Sequence, residues 1–365
     1  MNKNAAQSPG LESAIRRRRV LITCGTGGVG KTTVSASLAV RAACEGKRVI
    51  VITIDPAKRL ATSLGLESLG HEPTDLTAAL EKASGREVSG KLFALMPKSA
   101  ESFERLIRSL TTKEEAVQRI FKNPILKTFS QEFSGTNEYL ALEELMYFYS
   151  RSDYDLVILD TPPSRNTLSF LEAPQLMAKF FEEKFIRFLV IPANRLLAFG
   201  MRKTFSILER LTGAGFIHQL FDFGGAMFEV QENFLKKLHA IHDLLGSDEV
   251  GFLMVAAPTP ESAPEIGHFL AQIRERGFHF DGVLLNRSLG HLTTNTPPAD
   301  EAEKLIDALK ARENVAYQDL RAAANAQRGS ELEKLFYVRI PELARDVHGL
   351  EDLYHVSRLF EPAPL

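Results

Sequence analysis

The chain has 365 residues, of which 44% are hydrophobic and 25% charged, and its formal net charge is −2. This length allows one large core or two modest ones, and the near-neutral charge gives no reason to expect general nucleic-acid binding. The two cysteines, Cys24 and Cys44, are too few for a zinc site made of four cysteines, no CxxC pair is present, and nothing suggests an oxidising compartment.

Residues 1–18 are predicted to form a polar N-terminal tail without a signal peptide. The Arg16–Arg19 run is interpreted as a solvated entry into the first strand, with acidic lipid or a partner as the alternative ligand. The most apolar later stretch, Phe185 to Phe199, is interrupted by two arginines, a proline and an asparagine, so it does not form a plain membrane span. We therefore expect a cytoplasmic protein without a transmembrane segment.

The first elements along the chain form one βαβ unit. An apolar run at Val20–Thr23 predicts a buried strand that ends at a Gly-rich turn. From Lys31 the apolar residues follow helical spacing until Gly46, which is typical of a helix end. The β-branched run at Arg48–Ile54 then predicts a strand buried on both faces, as in a parallel sheet.

The later elements predict an α/β fold with a doubly wound, mostly parallel sheet. Further strands are expected at Leu92–Met96, Asp155–Leu159, Val250–Ala256, Gly282–Leu285 and Leu335–Ile340. Residues 98–150 and 175–247 contain long helical patterns without a β-branched run, which indicates an α-helical subdomain inserted in two pieces. The sheet domain would then comprise residues 19–97, 151–174 and 248–361.

The Gly-rich turn carries the pattern of a phosphate-binding loop. Residues 25–32 match GxxxxGK followed by Ser or Thr, and the match lies between a strand and a helix, as this motif requires. Glycines let backbone N–H groups surround phosphate oxygens, and the helix N-terminus adds a positive dipole end. The predicted nucleotide-binding residues are Gly27, Gly28, Val29, Gly30, Lys31, Thr32 and Thr33. Lys31 would reach the β- and γ-phosphates, and Thr32 would place its hydroxyl on Mg²⁺.

Two aspartates end predicted strands near this loop. Asp160 follows Leu156–Leu159 and is positioned to hold the metal, although a helix-capping role is the alternative. Asp55 ends the strand after the phosphate-binding loop helix and would orient the attacking water, or cap the turn at residues 56–59.

Three segments resemble the arsenical pump-driving (ArsA-like) ATPase family, which includes the ATPases for guided entry of tail-anchored proteins. They are Gly25–Thr33, Thr53–Ala57 and Asp160–Ser164, and phrases such as Leu60–Gly65 resemble the bacterial single-domain branch. The resemblance covers nearly the whole chain and implies an ATPase that binds Mg²⁺ and ATP and forms a nucleotide-bridged dimer.

The resemblance also implies roles for particular residues. Asp55 would be the catalytic, water-orienting residue of switch I, and Asp160 would open switch II, which continues through Thr161, Pro162, Pro163, Ser164 and Arg165. Asn286 is similar to the family's adenine-contacting Asn, although spacing alone allows a strand-end turn residue. Pro341 is similar to the loop that covers the base.

The chain departs from the family pattern at three points. Thr26 occupies the second loop position, where the family usually has a Lys that reaches the partner's phosphates. Hydrolysis would then be slow, or depend on a heterodimer with a paralogue that carries the Lys. The dimer-bridging CxxC is missing, so no zinc is expected. Arg165 stands where relatives often have Gly, and would replace part of the missing charge or form a surface salt bridge.

The helical stretches suggest a cargo. Residues 176–236 are rich in Phe and Met, which suit a groove for varied apolar helices but also an ordinary bundle core. The glycines at 213–215 and 224–225 are interpreted as a break in the helical pattern, either a lid or a loop. The resemblance therefore favours a nucleotide-switched carrier of hydrophobic membrane-protein segments.

Three other functions stay open. An energy-coupling subunit of a metalloid or anion export pump is one, but neither cysteine lies in the helical subdomain. A ParA- or MinD-like positioning ATPase is another, although the Pro-rich end at residues 360–365 does not suit an amphipathic membrane tail. The last is a slow or non-catalytic subunit of a heterodimeric ATPase.

Overall fold

A computed structural model describes residues 9–53, 59–123, 136–161, 172–175, 178, 215–295, 298, 300–326 and 335–362. The strands are β1 Val20–Cys24, β2 Arg48–Thr53, β3 Thr74–Asp75, β4 Lys91–Leu95, β5 Leu156–Asp160, β6 Val250–Ala256, β7 Phe280–Ser288, β8 Phe336–Pro341 and β9 Glu361–Pro362. The helices are α1 Pro9–Arg17, α2 Lys31–Cys44, α3 Arg59–Ser63, α4 Thr77–Ser84, α5 Ser99–Leu110, α6 Glu114–Lys122, α7 Thr136–Ser150, α8 Phe216–Leu245, α9 Ser262–Glu275, α10 Glu301–Ala326 and α11 Gly349–Ser357.

The strands form one nine-stranded sheet in the order β3-β4-β2-β5-β1-β6-β7-β8-β9. Pairing is parallel from β4 to β8, and antiparallel at the two outer pairs, β3–β4 and β8–β9. Strands β2 to β5 lie on one side of β1 and strands β6 to β9 lie on the other, so the direction in which strands are added reverses beside β1. In such sheets this is where ligands bind, at the carboxyl ends of the strands. The predicted α/β, doubly wound, mostly parallel fold is confirmed.

The central strands are buried on both faces. All residues of β1, β5 and β6 are buried, which explains their continuous apolar sequences. The predicted bounds of β6, Val250–Ala256, are the observed ones. The short edge strands β3 and β9 were not predicted, because two-residue strands leave no period in the sequence.

The start of the described chain is not a simple polar tail. Helix α1 buries Leu11 and Ile15 completely in the core that also contains α2 and β8. The prediction of a solvated Arg16–Arg19 run is wrong for Arg18, which is 1% exposed. Its Nε donates to Asp281 Oδ2 at 2.9 Å, and its Nη1 donates to the carbonyl of Asp248. A buried guanidinium requires such partners, and a contact between residues this far apart in the sequence leaves no local signal.

The chain divides into two compact units, Met1–Pro97 with Leu145–Leu168 and Leu244–Leu365, and Lys98–Glu144 with Ser169–Asp243. The first contains the sheet. In the second, the described elements are helices, and α8 runs through Gly224 and Gly225 without a break. The predicted interruption at these two glycines is therefore wrong: buried neighbours such as Phe223 and Met227 stabilise the helix by more than the roughly 1 kcal/mol that each glycine costs.

The Phe- and Met-rich stretch is only partly described. Phe223, Met227 and Phe234 are 2–3% exposed and belong to a helix core, whereas Phe228 is 49% exposed. Most of the other large side chains predicted to form a groove, from Met177 to Phe205, lie outside the described residues. No helix in the described ranges is long and apolar enough to cross a membrane.

Candidate functional site

The phosphate-binding loop joins β1 to α2 and depends on glycine geometry. Gly30 is the residue before the helix and has φ 87°, in the left-handed region that side chains other than glycine rarely adopt. A Cβ at Gly30 would also lie 2.3 Å from Asn286 Nδ2. Asn286 comes from the far end of β7 and donates from Nδ2 to the carbonyl of Val29 at 2.9 Å. The loop is thus held against β7 by a contact that only a glycine at 30 permits.

Lys31 is the first residue of α2 and lies within the same loop. It is 5% exposed, and its Nζ donates to the carbonyls of Gly25 and Thr26, both at 2.8 Å. These two hydrogen bonds hold the ammonium group against the loop.

Asp160, the last residue of β5, accepts hydrogen bonds from three hydroxyl groups. Thr32 donates to Oδ2 at 2.8 Å, Thr53 donates to Oδ2 at 3.0 Å, and Ser35 donates to Oδ1 at 3.3 Å. These donors come from the start of α2 and from the end of β2. The parallel register places Thr53 beside Asp160, so two neighbouring strand ends and the loop helix meet at one carboxylate.

Burial sets the protonation chemistry of this centre. Asp160 is completely buried, and the loss of solvation raises its pKa to about 6 in spite of the three hydroxyl donors and the nearby Lys31. Burial likewise raises the pKa of the Cys24 thiol to about 12, which makes that thiol inert rather than a nucleophile or soft-metal ligand.

The oxygens of Thr32 and Asp160 fit a magnesium ion. A hydroxyl and a carboxylate are hard donors, and Mg²⁺ in nucleotide sites is bound by one or two protein oxygens, with water and phosphate oxygens completing the shell. A carboxylate that is buried and costly to ionise gains most from a cation. The described partners of Asp160 are side-chain hydroxyls of α2 and β2, and the residues that it would cap at the start of a following helix lie outside the described residues.

A cavity of about 460 Å³ opens beside the loop. Four parts of the chain contribute to its wall: the loop with α2, the short helix α3, the residue that follows β5, and the segment that precedes α11. Its lining residues are Gly28, Gly30, Lys31, Thr32, Thr33, Arg59, Thr62, Ser63, Thr161, Asp346, Val347 and His348. This is the size range of small-molecule and cofactor sites.

The structure brings together most of the described site residues that the sequence predicted. Gly28, Gly30, Lys31, Thr32, Thr33 and Thr161 line one cavity, and Asp160 is hydrogen-bonded to Thr32. Pro341 ends β8 opposite Ser288 of β7, and the following residue, Glu342, donates its N–H to the Ser288 carbonyl at 2.9 Å. Asp55 and the switch II residues Pro162, Pro163, Ser164 and Arg165 lie outside the described residues.

Sequence reasoning missed several residues of this site. Ser35 lies one helical turn after Lys31, a spacing that could have pointed to it. Thr53 precedes the predicted switch I, and Arg59, Asp346 and His348 were not predicted to belong to the site. The last two reach the loop only through tertiary packing, in which α11 lies against α2 and α3.

Comparison with known proteins agrees with this geometry. The family model described as "Anion-transporting ATPase" matches residues 18–361, which is nearly the whole chain. The chain belongs to this ArsA ATPase family.

Three relatives align with more than 90% of this chain. ATPase GET3 of the fungus Malassezia globosa is 24% identical over 96% of this chain and 94% of its own. An ATPase ASNA1 homolog of Plasmodium berghei is 23% identical, over 92% and 85%. A protein of Aquifex aeolicus, named for the arsenical pump-driving ATPases, is 24% identical over 93% of this chain and 98% of its own. Membership of this family implies that the chain binds ATP.

Proposed function

We propose that this protein hydrolyses Mg·ATP and uses its nucleotide state to switch the helical unit, so that it captures and releases an apolar segment of a membrane protein. The observation that carries the proposal is the hydrogen-bonded cluster of Thr32, Thr53 and Asp160 beside the Lys31 cavity. In this cluster the residues proposed to bind phosphate and metal lie beside the ends of β2 and β5, which the two switch segments follow.

The residues of the site have separate roles in this proposal. Lys31 binds the phosphate chain, and Thr32 with Asp160 holds the Mg²⁺, which supplies charge neutralisation at the terminal phosphates. Asp55, two residues beyond the end of β2, orients the attacking water.

The cluster also suggests how the switch works. Thr53 ends β2 immediately before switch I, and Asp160 ends β5 immediately before switch II. Because their side chains are hydrogen-bonded at 3.0 Å, a change in what Asp160 binds is transmitted to both segments. The segment that begins with switch II continues along the chain into the helical unit, which resumes at Ser169. A movement of switch II would therefore act directly on the start of that part of the helical unit.

The assembly is proposed as a homodimer, or a heterodimer with a paralogue. Thr26 lies half-buried in the loop and offers a carbonyl to Lys31, but its hydroxyl cannot neutralise a phosphate. If a paralogue supplies a Lys at this loop position, mixing the two chains raises the hydrolysis rate above the sum of the separate rates.

The proposed cargo is an apolar segment of a membrane protein. Its support is family membership and the half-exposed Phe228 on α8. The inert Cys24 and a second cysteine at the end of α2, both in the sheet-containing unit, count against a metalloid-binding role in the helices.

Hydrolysis and binding are tested first with purified protein. Phosphate release is measured with Mg²⁺ for the wild type, Asp55→Asn and Lys31→Ala. Asp55→Asn should bind ATP with near wild-type affinity and lose most of the hydrolysis, whereas Lys31→Ala should lose binding. A wild type that binds no ATP would overturn the proposal.

The client is tested with Asp55→Asn, which holds ATP. A single-span membrane protein is synthesised without membranes beside the tagged variant, in ATP or in ADP. Capture that depends on ATP, and that fails for a matched client with serines in its apolar segment, is the expected result. Equal capture with both nucleotides, or hydrolysis stimulated by arsenite without client capture, would contradict the carrier function.

A further inference from the structure

Helix α3 presents one side to the nucleotide cavity. Arg59, Thr62 and Ser63 all line it, and their spacing of three and four residues places them on the same helical face. Arg59 is the first residue of the helix and its side chain is exposed. A long cationic side chain therefore lines the same cavity as Lys31 and Thr32.

The charges of the cavity favour a second cation. Lys31 is nearly buried and is held by two loop carbonyls, while Asp160 and Asp346 are acidic. Even with its Mg²⁺, ATP keeps negative charge at the terminal phosphate, and this charge increases on its oxygens as the bond to the leaving group breaks. Among the described lining residues, Arg59 is the one arginine and Lys31 the one lysine.

Arg59 shares the cavity with Thr161, the residue that follows the proposed metal ligand Asp160. β2 ends at Thr53, whose hydroxyl donates to Asp160, and Arg59 follows six residues later. The terminal phosphate is the part of the nucleotide that shares the metal, so it lies nearest to Asp160.

We propose that Arg59 binds the terminal phosphate of ATP from within the same chain and distinguishes ATP from ADP, an inference that rests on the proposed nucleotide site. A guanidinium suits this task, because its planar fork donates two parallel hydrogen bonds to phosphate oxygens. Arg59 thereby supplies in cis a charge that Thr26 cannot supply.

The test compares ATP and ADP affinities by calorimetry with Mg²⁺, in Arg59→Gln and Arg59→Lys made on the hydrolysis-deficient Asp55→Asn background. Arg59→Gln should weaken ATP binding about ten- to a hundredfold and leave ADP binding within about twofold. Arg59→Lys should lose less, because it keeps the charge without the fork. Arg151→Gln is the matched control: Arg151 is an exposed arginine of the same unit, paired with Asp153 and outside the cavity lining.

The outcomes are separable. Equal losses for ATP and ADP, or no loss for either, would overturn the role of Arg59 and leave the proposed function intact. Failure of the parent protein to bind either nucleotide would overturn both. Thermal unfolding midpoints of the variants within about 2 °C of the parent show that the effect is not a folding defect, and Arg59→Lys keeps the test valid if Arg59→Gln is unstable.

Discussion

Asn286 Nδ2 lies 2.9 Å from the carbonyl of Val29, so the end of β7 holds the phosphate-binding loop although 257 residues separate the two positions. The amide therefore links the end of β7 to the loop. The resemblance drawn from the sequence predicts that the same Asn contacts adenine.

Two glycines of the loop provide a matched test of this contact. Gly28 and Gly30 have φ values of 83° and 87°, but a Cβ at Gly28 meets nothing within 4 Å, whereas one at Gly30 lies 2.3 Å from Asn286 Nδ2. Gly28→Ala should cost about 1–2 kcal/mol from the left-handed backbone alone. Gly30→Ala should cost about 1–3 kcal/mol more, because the Asn286 hydrogen bond is also lost.

The measurement is the thermal unfolding midpoint of the nucleotide-free protein. In the Asn286→Ala background, adding Gly30→Ala should cost only about as much as Gly28→Ala does in the parent, since the clash partner and its hydrogen bond are already gone. Equal midpoints for the two glycine variants would show that Asn286 does not restrict the loop.

Asp160→Asn should separate stability from function. Burial raises the pKa of Asp160 from 3.8 to about 6, which corresponds to about 3 kcal/mol against the charged form in the nucleotide-free fold at neutral pH. The neutral amide should therefore raise the unfolding midpoint measured in EDTA, while abolishing the increase in ATP affinity that Mg²⁺ gives to the wild type. A lower midpoint would mean that the three hydroxyl donors already compensate for burial of the carboxylate.

Two arginines of α5 form ion pairs that should contribute very differently to the stability of the helical unit. Arg105 lies 2.6 Å from Glu144, which is 2% exposed and also accepts from Ser102 at 2.7 Å. Arg105→Ala leaves that carboxylate buried without its cation and should destabilise the unit by about 3–5 kcal/mol. Arg108 pairs with the exposed Glu104 and Glu114, so Arg108→Ala should destabilise the unit much less than Arg105→Ala does.

Amide hydrogen exchange over α5 and α7 measures this effect locally, without assuming that the two units unfold together. Faster exchange in Arg105→Ala than in Arg108→Ala is the expected result. The same exchange rates in both variants would show that Arg105 does not stabilise the helices around Glu144.

The two thiols should react at very different rates. Cys24 is 1% exposed and burial raises its pKa to about 12, whereas Cys44 ends α2 and is half-buried. Ellman's reagent at pH 8 should therefore label one thiol in the native protein and two in denaturant. Cys44→Ser should remove the native reaction; a residual fast thiol would mean that β1 opens locally.

The sequence by itself determined the nucleotide-binding half of this protein. The loop residues from Gly25 to Thr32 must be contiguous to surround a phosphate, and β1, β2, β5 and β6 are buried on both faces, so their apolar runs are continuous. Local chemistry of this kind leaves a pattern that can be recognised without coordinates.

Only the tertiary structure decided which distant residues complete the site. Thr53 donates to Asp160 from the end of β2, and Arg59 lines the cavity from α3. Arg18 is buried because Asp281, 263 residues away, neutralises it. Gly224 and Gly225 lie within a continuous helix because their neighbours are packed, against the local preference of glycine. Such contacts depend on how the sheet orders its strands, and strand order is set by packing over the whole chain, which no local stretch of sequence contains.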